Sequence, residues 1–201
     1  MGAGNHPAMV ELFNFQAWQF HTGIERIRAA FRAAVAAIEA EEVGAQEAYD
    51  RYIASGQDDR EYDEDRILTH STEVSLEFAS REAVLATQAV RQAFAMSIFH
   101  YWERSARAWT RWDRPGFPSL KERMEGQGIR VDERLELLNN LNNLLKHDSA
   151  RSGGKVFEDR PDLFMWRRRP TGRNWQASVV IANCDIEEFL DAIARSGPAF
   201  P

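Results

Sequence analysis

The sequence has only one cysteine among its 201 residues, and it has no long run of uncharged apolar residues. Cys184 alone cannot form a disulfide within the chain, and no Cys and His residues have the spacing of a zinc site, so we expect neither a metal nor a cofactor. A membrane span needs about 20 apolar residues, and the opening MGAGNHPAMV lacks the basic and apolar regions of a signal peptide. We therefore expect a cytoplasmic protein with no membrane partner.

Positive charge is scarce overall, because the formal net charge is −6, but the two signs are unevenly distributed. Residues 36–85 contain fourteen Asp and Glu against four Arg. Residues 146–173 contain eight Lys and Arg against four Asp and Glu. The acidic front and the basic tail would attract different partners, so the negative net charge does not exclude RNA.

Proline is absent from two long stretches, about Asn14–Ala54 and about Arg66–Trp112. In the first stretch apolar residues recur at steps of three and four, and the second has a broad apolar face, so each predicts a long amphipathic helix. The acidic segment Ser55–Asp65 has no apolar period and predicts a loop between them. Two long helices with a short connection are expected to pack antiparallel.

Shorter elements follow the second long helix. The sequence predicts a short helix over Leu120–Glu125 and a third substantial helix over about Glu133–Lys146, followed by a flexible segment, Ser149–Lys155. In the tail, β-rich runs at Leu163–Arg169 and Trp175–Ala182 flank a turn at residues 170–174 and predict a hairpin. A last helix is expected from Asp185 to about Arg195.

The predicted fold class is therefore mainly α. We expect a helical bundle of two long antiparallel helices and a third helix over about residues 14–150. A C-terminal β-hairpin and a short terminal helix would occupy about residues 155–201. All of this is expected to form a single domain over residues 1–201.

The third helix is unusual because it holds four Asn residues within five positions, although each Asn in a helix interior costs about 0.5–0.7 kcal/mol relative to Ala. On a helical wheel the Leu residues form one apolar arc with a polar edge on either side. One edge carries Asn139, Asn142 and Lys146, and the other carries Asn140, Asn143 and His147. These groups either coat the solvent side and fix the helix register, or they form a functional site.

The run from Asn142 to His147 resembles the signature of the HEPN family. In that signature an Arg is followed by a polar residue, often Asn, then by three variable residues and a His. Asn143 matches the polar residue and His147 matches the His, whereas Asn142 stands at the Arg position. The segment Phe99–Arg104 is similar to the aromatic and charged helix that packs against the signature, so the resemblance spans roughly residues 66–150.

The resemblance implies a dimeric helical domain and, in many members, metal-independent RNA cleavage in toxins and antiphage systems; other members are catalytically silent. The candidate catalytic residues are His147, Asn143, Asn142, Lys146 and Glu103. Imidazole can give or take a proton near neutral pH, whereas an Asn amide cannot replace the Arg cation. Asn142 and His147 point about 140° apart on an ideal helix, so an active site would need groups from a second chain. The alternatives are a non-catalytic module that binds RNA or a protein partner such as an antitoxin, and a helical scaffold with no role in binding nucleic acid.

Two groups of basic residues are candidates for RNA contact. Arg104, Arg107 and Arg111 follow one another at steps of three and four on the second helix, and Arg151 follows the third helix. They could line a phosphate-binding groove, or they could pair with the acidic front half.

In the tail, three consecutive arginines, Arg167–Arg169, lie between Trp166 and Trp175. The indoles could stack on RNA bases or cover apolar surface. The sequence leaves an RNA site, a protein-binding site and an ordinary solvated hairpin open.

Overall fold

The computed structural model describes residues 7–114, 116–172 and 174–199, with side chains from residue 15 onward. Within these ranges the chain is mainly α-helical, as predicted. It forms six α-helices and one antiparallel pair of short strands. In chain order the elements are α1 (Pro7–Ser55), β1 (Glu61–Tyr62), β2 (Leu68–His70), α2 (Thr72–Thr110), α3 (Phe117–Gly126), α4 (Arg134–His147), α5 (Ala150–Asp159) and α6 (Asn183–Ala194). None of the helices described has an apolar stretch that could cross a membrane.

The described residues group into two compact units. The first unit contains the residues up to Ala30 and those from Arg91 onward, and the second contains Phe31–Val90. Both long helices contribute to each unit. A single domain over residues 1–201, with the two long helices antiparallel, stays a prediction.

The core of the first unit forms around Trp102, which is fully buried at 0% exposure. Its indole Nε1 donates a hydrogen bond to the carbonyl oxygen of Ser196, just beyond α6, at 2.8 Å. The Ser196 hydroxyl in turn accepts from the backbone N–H of Asp132, ahead of α4, at 2.8 Å. The leucines of α4 complete this core. The arc that the wheel predicts is buried, and Leu135, outside that arc, is buried as well; the residues of the arc are Leu137, Leu138, Leu141, Leu144 and Leu145.

In the second unit, polar side chains join α1 to α2. The Thr87 hydroxyl donates to Glu42 at 2.8 Å, and the Ser80 hydroxyl donates to Gln46 at 2.7 Å. Part of the segment predicted as a loop is β1, which pairs with β2. Both strands are only two or three residues long, and their side chains are exposed, so they leave no alternating apolar pattern in the sequence.

The tail does not confirm the predicted hairpin. Among the described residues between α5 and α6 there are three short 3-10 turns, Pro161–Leu163, Met165–Arg167 and Gln176–Ser178, instead of two strands. A single antiparallel bridge between Phe164 and Val179 is the only pairing there. Arg173, within the predicted turn, lies outside the described residues.

The segment Ser149–Lys155, predicted to be flexible, is instead the beginning of α5. The Ser149 side chain caps this helix by accepting from the N–H of Ser152 at 3.2 Å. Close packing against the Trp175 ring accounts for Gly153, whereas Gly154 faces only the flexible end of the exposed Arg169 side chain. A Cβ atom on Gly153 would lie 2.4 Å from the Trp175 ring, and one on Gly154 would lie 3.2 Å from the Arg169 guanidinium. The sequence pattern typical of flexibility therefore marks a tightly packed helix.

Candidate functional site

A groove in the first unit gathers several of the predicted site residues. It is an open cavity of about 740 Å³, and we call it the α1–α2 groove. One wall comes from α1 and the other from α2. The lining residues are Gly23, Ile27, Ser97, His100, Tyr101, Glu103, Arg104 and Arg107.

The polar wall of the groove is one face of α2. His100, Glu103, Arg104 and Arg107 are spaced three, four and seven positions apart, which places them on the same side of a helix. The neighbouring face of α2 carries Trp102 and is buried in the core. Because one face is fixed in the core, the charged face is directed to the groove.

Glu103 lies at the centre of the charged wall. Its carboxylate accepts from an Arg107 guanidinium N–H at 2.7 Å, and its other oxygen lies 3.4 Å from His100 Nδ1. Partial burial alone would raise the pKa of Glu103, but the hydrogen bond and charge of Arg107, assisted by His100, outweigh it and lower that pKa. Glu103 is therefore a carboxylate at neutral pH.

Tyr101 forms the apolar side of the groove. Its hydroxyl donates to the carbonyl oxygen of Phe20 at 3.0 Å, and its ring stacks on the Phe20 ring with centroids 5.6 Å apart. Burial raises the pKa of Tyr101, against the opposing charge of Arg104. A Cβ atom on Gly23 would lie 1.9 Å from the Tyr101 hydroxyl oxygen, so this close approach needs glycine at position 23.

Arg104 supplies a cation to the groove. Its guanidinium lies 5.9 Å from the centroid of the Tyr101 ring, within the range of a cation–π contact. Within the described ranges no carboxylate pairs with Arg104. By contrast, Arg107 is held by Glu103 and also donates to the carbonyl oxygen of Arg114 at 2.7 Å. Arg104 is thus the groove cation that is available to an anionic ligand.

The residues that resemble the HEPN signature lie elsewhere, at the end of α4. Lys146 and His147 are exposed there, Asn143 is half-buried, and Arg151 is exposed in the first turn of α5. We call these four residues the α4–α5 corner. None of them lines the α1–α2 groove.

Asp148 holds the α4–α5 corner in place. It adopts a left-handed conformation with φ 48°, and its N–H donates to the carbonyl oxygen of Leu144 at 2.9 Å, which ends α4. Its carboxylate accepts from the backbone N–H groups of Asn174 at 3.2 Å and Gln176 at 2.8 Å. The loop before Gln176 is therefore tied to the end of α4.

Asn142 is separated from the corner because it points into the protein. It is 4% exposed, and its side-chain oxygen is buried without a hydrogen-bond partner in the described structure. An unpaired buried polar group costs about 1–3 kcal/mol, so this oxygen lowers the stability of the fold. At the position where the HEPN signature has Arg, the chain presents no cation to the surface.

The structure thus divides the predicted site residues. Glu103, Arg104 and Arg107 share the groove with His100, which is not among the residues predicted as catalytic. His147, Asn143, Lys146 and Arg151 form the α4–α5 corner. Arg111 is exposed just beyond α2, in a left-handed conformation with φ 51°, and lines neither site. The three- and four-residue spacing of His100, Glu103 and Arg107 is the signal that could have identified the groove.

Among the residues described, no group of three or more His, Cys, Asp or Glu side chains could hold a metal ion.

Comparison with protein-family models, with curated protein sequences and with solved structures finds no match to this chain.

The balance of effects on Glu103 gives a testable prediction. Replacing Arg107 by Gln removes the main interaction that lowers the pKa of Glu103, so this pKa should rise as burial acts with less opposition. In the wild type, ionised Glu103 stabilises the fold above the ordinary carboxyl pKa, and this contribution is lost as pH falls through the lowered pKa. An NMR titration of the Glu103 carboxyl carbon measures the change.

Arg104→Gln is the matched control, because Arg104 lines the same groove without a hydrogen bond to Glu103. It should change the pKa of Glu103 less than Arg107→Gln does. Equal effects of the two substitutions would contradict the assignment of Arg107 as the specific partner.

Proposed function

We propose that this chain is a HEPN-like helical protein, with its two long helices antiparallel, that acts on RNA in a bacterial toxin or antiphage defence system. In this proposal it is a cytoplasmic homodimer and a metal-independent endoribonuclease. The family assignment is supported by Asn143 and His147, which resemble the family signature. Both lie near exposed Lys146 at the end of α4. The alternative function is a non-catalytic module of the same kind that binds RNA or a protein partner, and buried Asn142 favours it.

The observation that carries the catalytic proposal is the cluster of His100, Glu103 and Arg104 in one groove. Cleavage without a metal needs a base for the 2′-hydroxyl proton, a cation for the charged phosphorane and an acid for the leaving 5′-oxygen. In our proposal, His100 takes the 2′-hydroxyl proton, Glu103 orients and stabilises the imidazolium, and Arg104 binds the phosphate.

The attacking 2′-oxygen forms a bond to phosphorus, and the bond from phosphorus to the 5′-oxygen breaks. The products are a 2′,3′-cyclic phosphate and a 5′-hydroxyl. The leaving oxygen takes a proton, which we assign to His147 of a second copy in a composite dimer cleft. Lys146, Arg107, Arg111 and Arg151 then contribute positive charge along the path of the RNA.

Exposed apolar residues on α2 support the homodimer. In the second unit Phe78 is 58% exposed and Leu85 is 61% exposed. They are seven positions apart, so they lie on the same face of the helix. Large apolar side chains in such a row are typical of a protein interface.

Cleavage is tested with labelled single-stranded RNA in EDTA. The wild type should release products that end in a 2′,3′-cyclic phosphate. His100→Ala should slow cleavage by about 10²–10⁴-fold, because it removes the general base. His70→Ala is the matched control: His70 is an exposed histidine on β2, and its loss should leave the rate unchanged.

His147→Ala distinguishes the two parts of the proposed site. A loss with His147→Ala but not with His100→Ala would move the chemistry to the α4–α5 corner. If the wild type leaves every RNA intact, the nuclease proposal fails and the non-catalytic module remains.

The dimer is tested by the mass in solution at micromolar concentration. The wild type should have twice the chain mass of 23.0 kDa, and Phe78→Glu should shift it toward the monomer because a charge would be buried in the interface. Ala79→Glu adds the same charge at the next exposed position, about 100° around the helix, and should leave the dimer intact. A wild type that is strictly monomeric would exclude the composite cleft.

A further inference from the structure

The turn Met165–Arg168 presents an isolated indole to solvent. Trp166 is 82% exposed, more than any other large apolar residue whose side chain the structure describes. Two residues earlier, Phe164 is buried in the core. Within two positions, the chain therefore goes from a side chain in the core to one that is almost fully exposed to solvent.

The backbone of this turn is in an unusual conformation. Trp166 has φ 55° and Arg167 has φ 53°, both in the left-handed region that residues other than glycine rarely adopt. Two hydrogen bonds hold the turn, from Arg167 N–H to the Phe164 oxygen at 2.8 Å and from Arg168 N–H to the Met165 oxygen at 3.3 Å. Strained backbone of this kind is concentrated at functional sites. Here it directs the indole outward.

Both ends of the turn are anchored. The Phe164 ring packs edge-on against the rings of Phe157 and Trp175, with centroids 5.4 and 6.0 Å apart. At the other end the Arg169 guanidinium lies 5.7 Å from the Trp175 ring centroid and 3.6 Å from the Glu158 carboxylate. A ring held on an anchored turn loses little freedom when it binds a ligand.

The charge around Trp166 is positive. Arg167 and Arg168 are both exposed beside it. The nearby carboxylate of Asp162 is bound by the Arg160 guanidinium at 2.7 Å and also interacts with the charge of Arg167. Within the described part of the chain, Arg168 has no carboxylate partner. The turn thus offers an aromatic face and positive charge together.

We propose that the turn Met165–Arg168 is a binding site for single-stranded nucleic acid, with one base stacked on the Trp166 indole and the neighbouring phosphates contacted by Arg167 and Arg168. Stacking needs an unpaired base, because both faces of a base are covered inside a duplex. The combination of an exposed aromatic ring with adjacent arginines is the chemistry that binds single strands without reading their sequence. This site is separate from the α1–α2 groove and does not depend on the cleavage reaction.

The test is fluorescence anisotropy with labelled twelve-nucleotide single strands, one of 2′-O-methyl-uridine and one of deoxythymidine, and with a duplex of the same length. The 2′-O-methyl strand lacks the 2′-hydroxyl, so it cannot be cleaved, and the two single strands distinguish an RNA ligand from a DNA ligand. Trp166→Ala should weaken single-strand binding about tenfold, and Trp166→Phe should retain most of it because the aromatic face remains. Arg168→Ala should reduce the salt dependence of binding by about one counterion.

Trp18→Ala is the matched control, because it removes another exposed indole, on α1, that is not flanked by consecutive arginines. It should bind as the wild type does.

The thermal unfolding midpoint of Trp166→Ala should equal that of the wild type, since the ring is exposed. The proposal would be overturned if the wild type did not bind single strands, or if Trp166→Ala bound them as tightly as the wild type does. It would also be overturned if the wild type bound the duplex as tightly as the single strands. If these strands bind but unmodified single-stranded RNA stays intact in the cleavage assay, only the nuclease proposal is contradicted.

Discussion

The burial of Trp102 is the constraint on which the rest of the first unit depends. Its indole N–H must find an acceptor inside the protein, and it finds the carbonyl oxygen of Ser196 at 2.8 Å. Ser196 also binds the backbone of Asp132 and of Ala192, at 2.8 and 2.7 Å, so one buried network joins α2 to the start of α4 and the end of α6. Fixing Trp102 fixes the rotation of α2 about its axis.

That rotation determines where the chemistry can occur. With Trp102 in the core, the face that carries His100, Glu103 and Arg104 is left to line the groove. Within it, the hydrogen bond and charge of Arg107 lower the pKa of Glu103. The leucines of α4 enter the same core, so the exposed end of that helix carries His147 and its basic neighbours at a different place. One chain therefore presents two separate polar sites, and in the proposed reaction the second site comes from another copy.

The long helices could be predicted because an apolar period of three and four residues, without proline over some forty residues, is typical of an amphipathic helix and of no other common element. The third helix is shorter, but its apolar period also predicts it nearly to the residue, and its buried Leu arc is confirmed. The tail could not be predicted, because its apolar residues serve long-range contacts. Trp175 is buried against Gly153 of α5, a contact between residues far apart in the sequence. The two runs predicted as strands therefore form turns, and the glycine pair predicted to be flexible lies in a helix. The spacing of Glu103, Arg104 and Arg107 with His100 places them on one face of α2, but the burial of Trp102 is what turns that face to the groove; that these residues bind RNA or act on it stays a prediction.

Photo-crosslinking of a 4-thiouridine single-stranded RNA, followed by mass spectrometry of the crosslinked peptides, tests most directly the claim that this protein is built to bind RNA. We expect crosslinks in three places: the α2 segment of residues 97–107, the α4–α5 corner at residues 143–151, and the tail segment of residues 164–169. Crosslinks confined to the acidic residues 36–85, or no crosslinks at all, would contradict it.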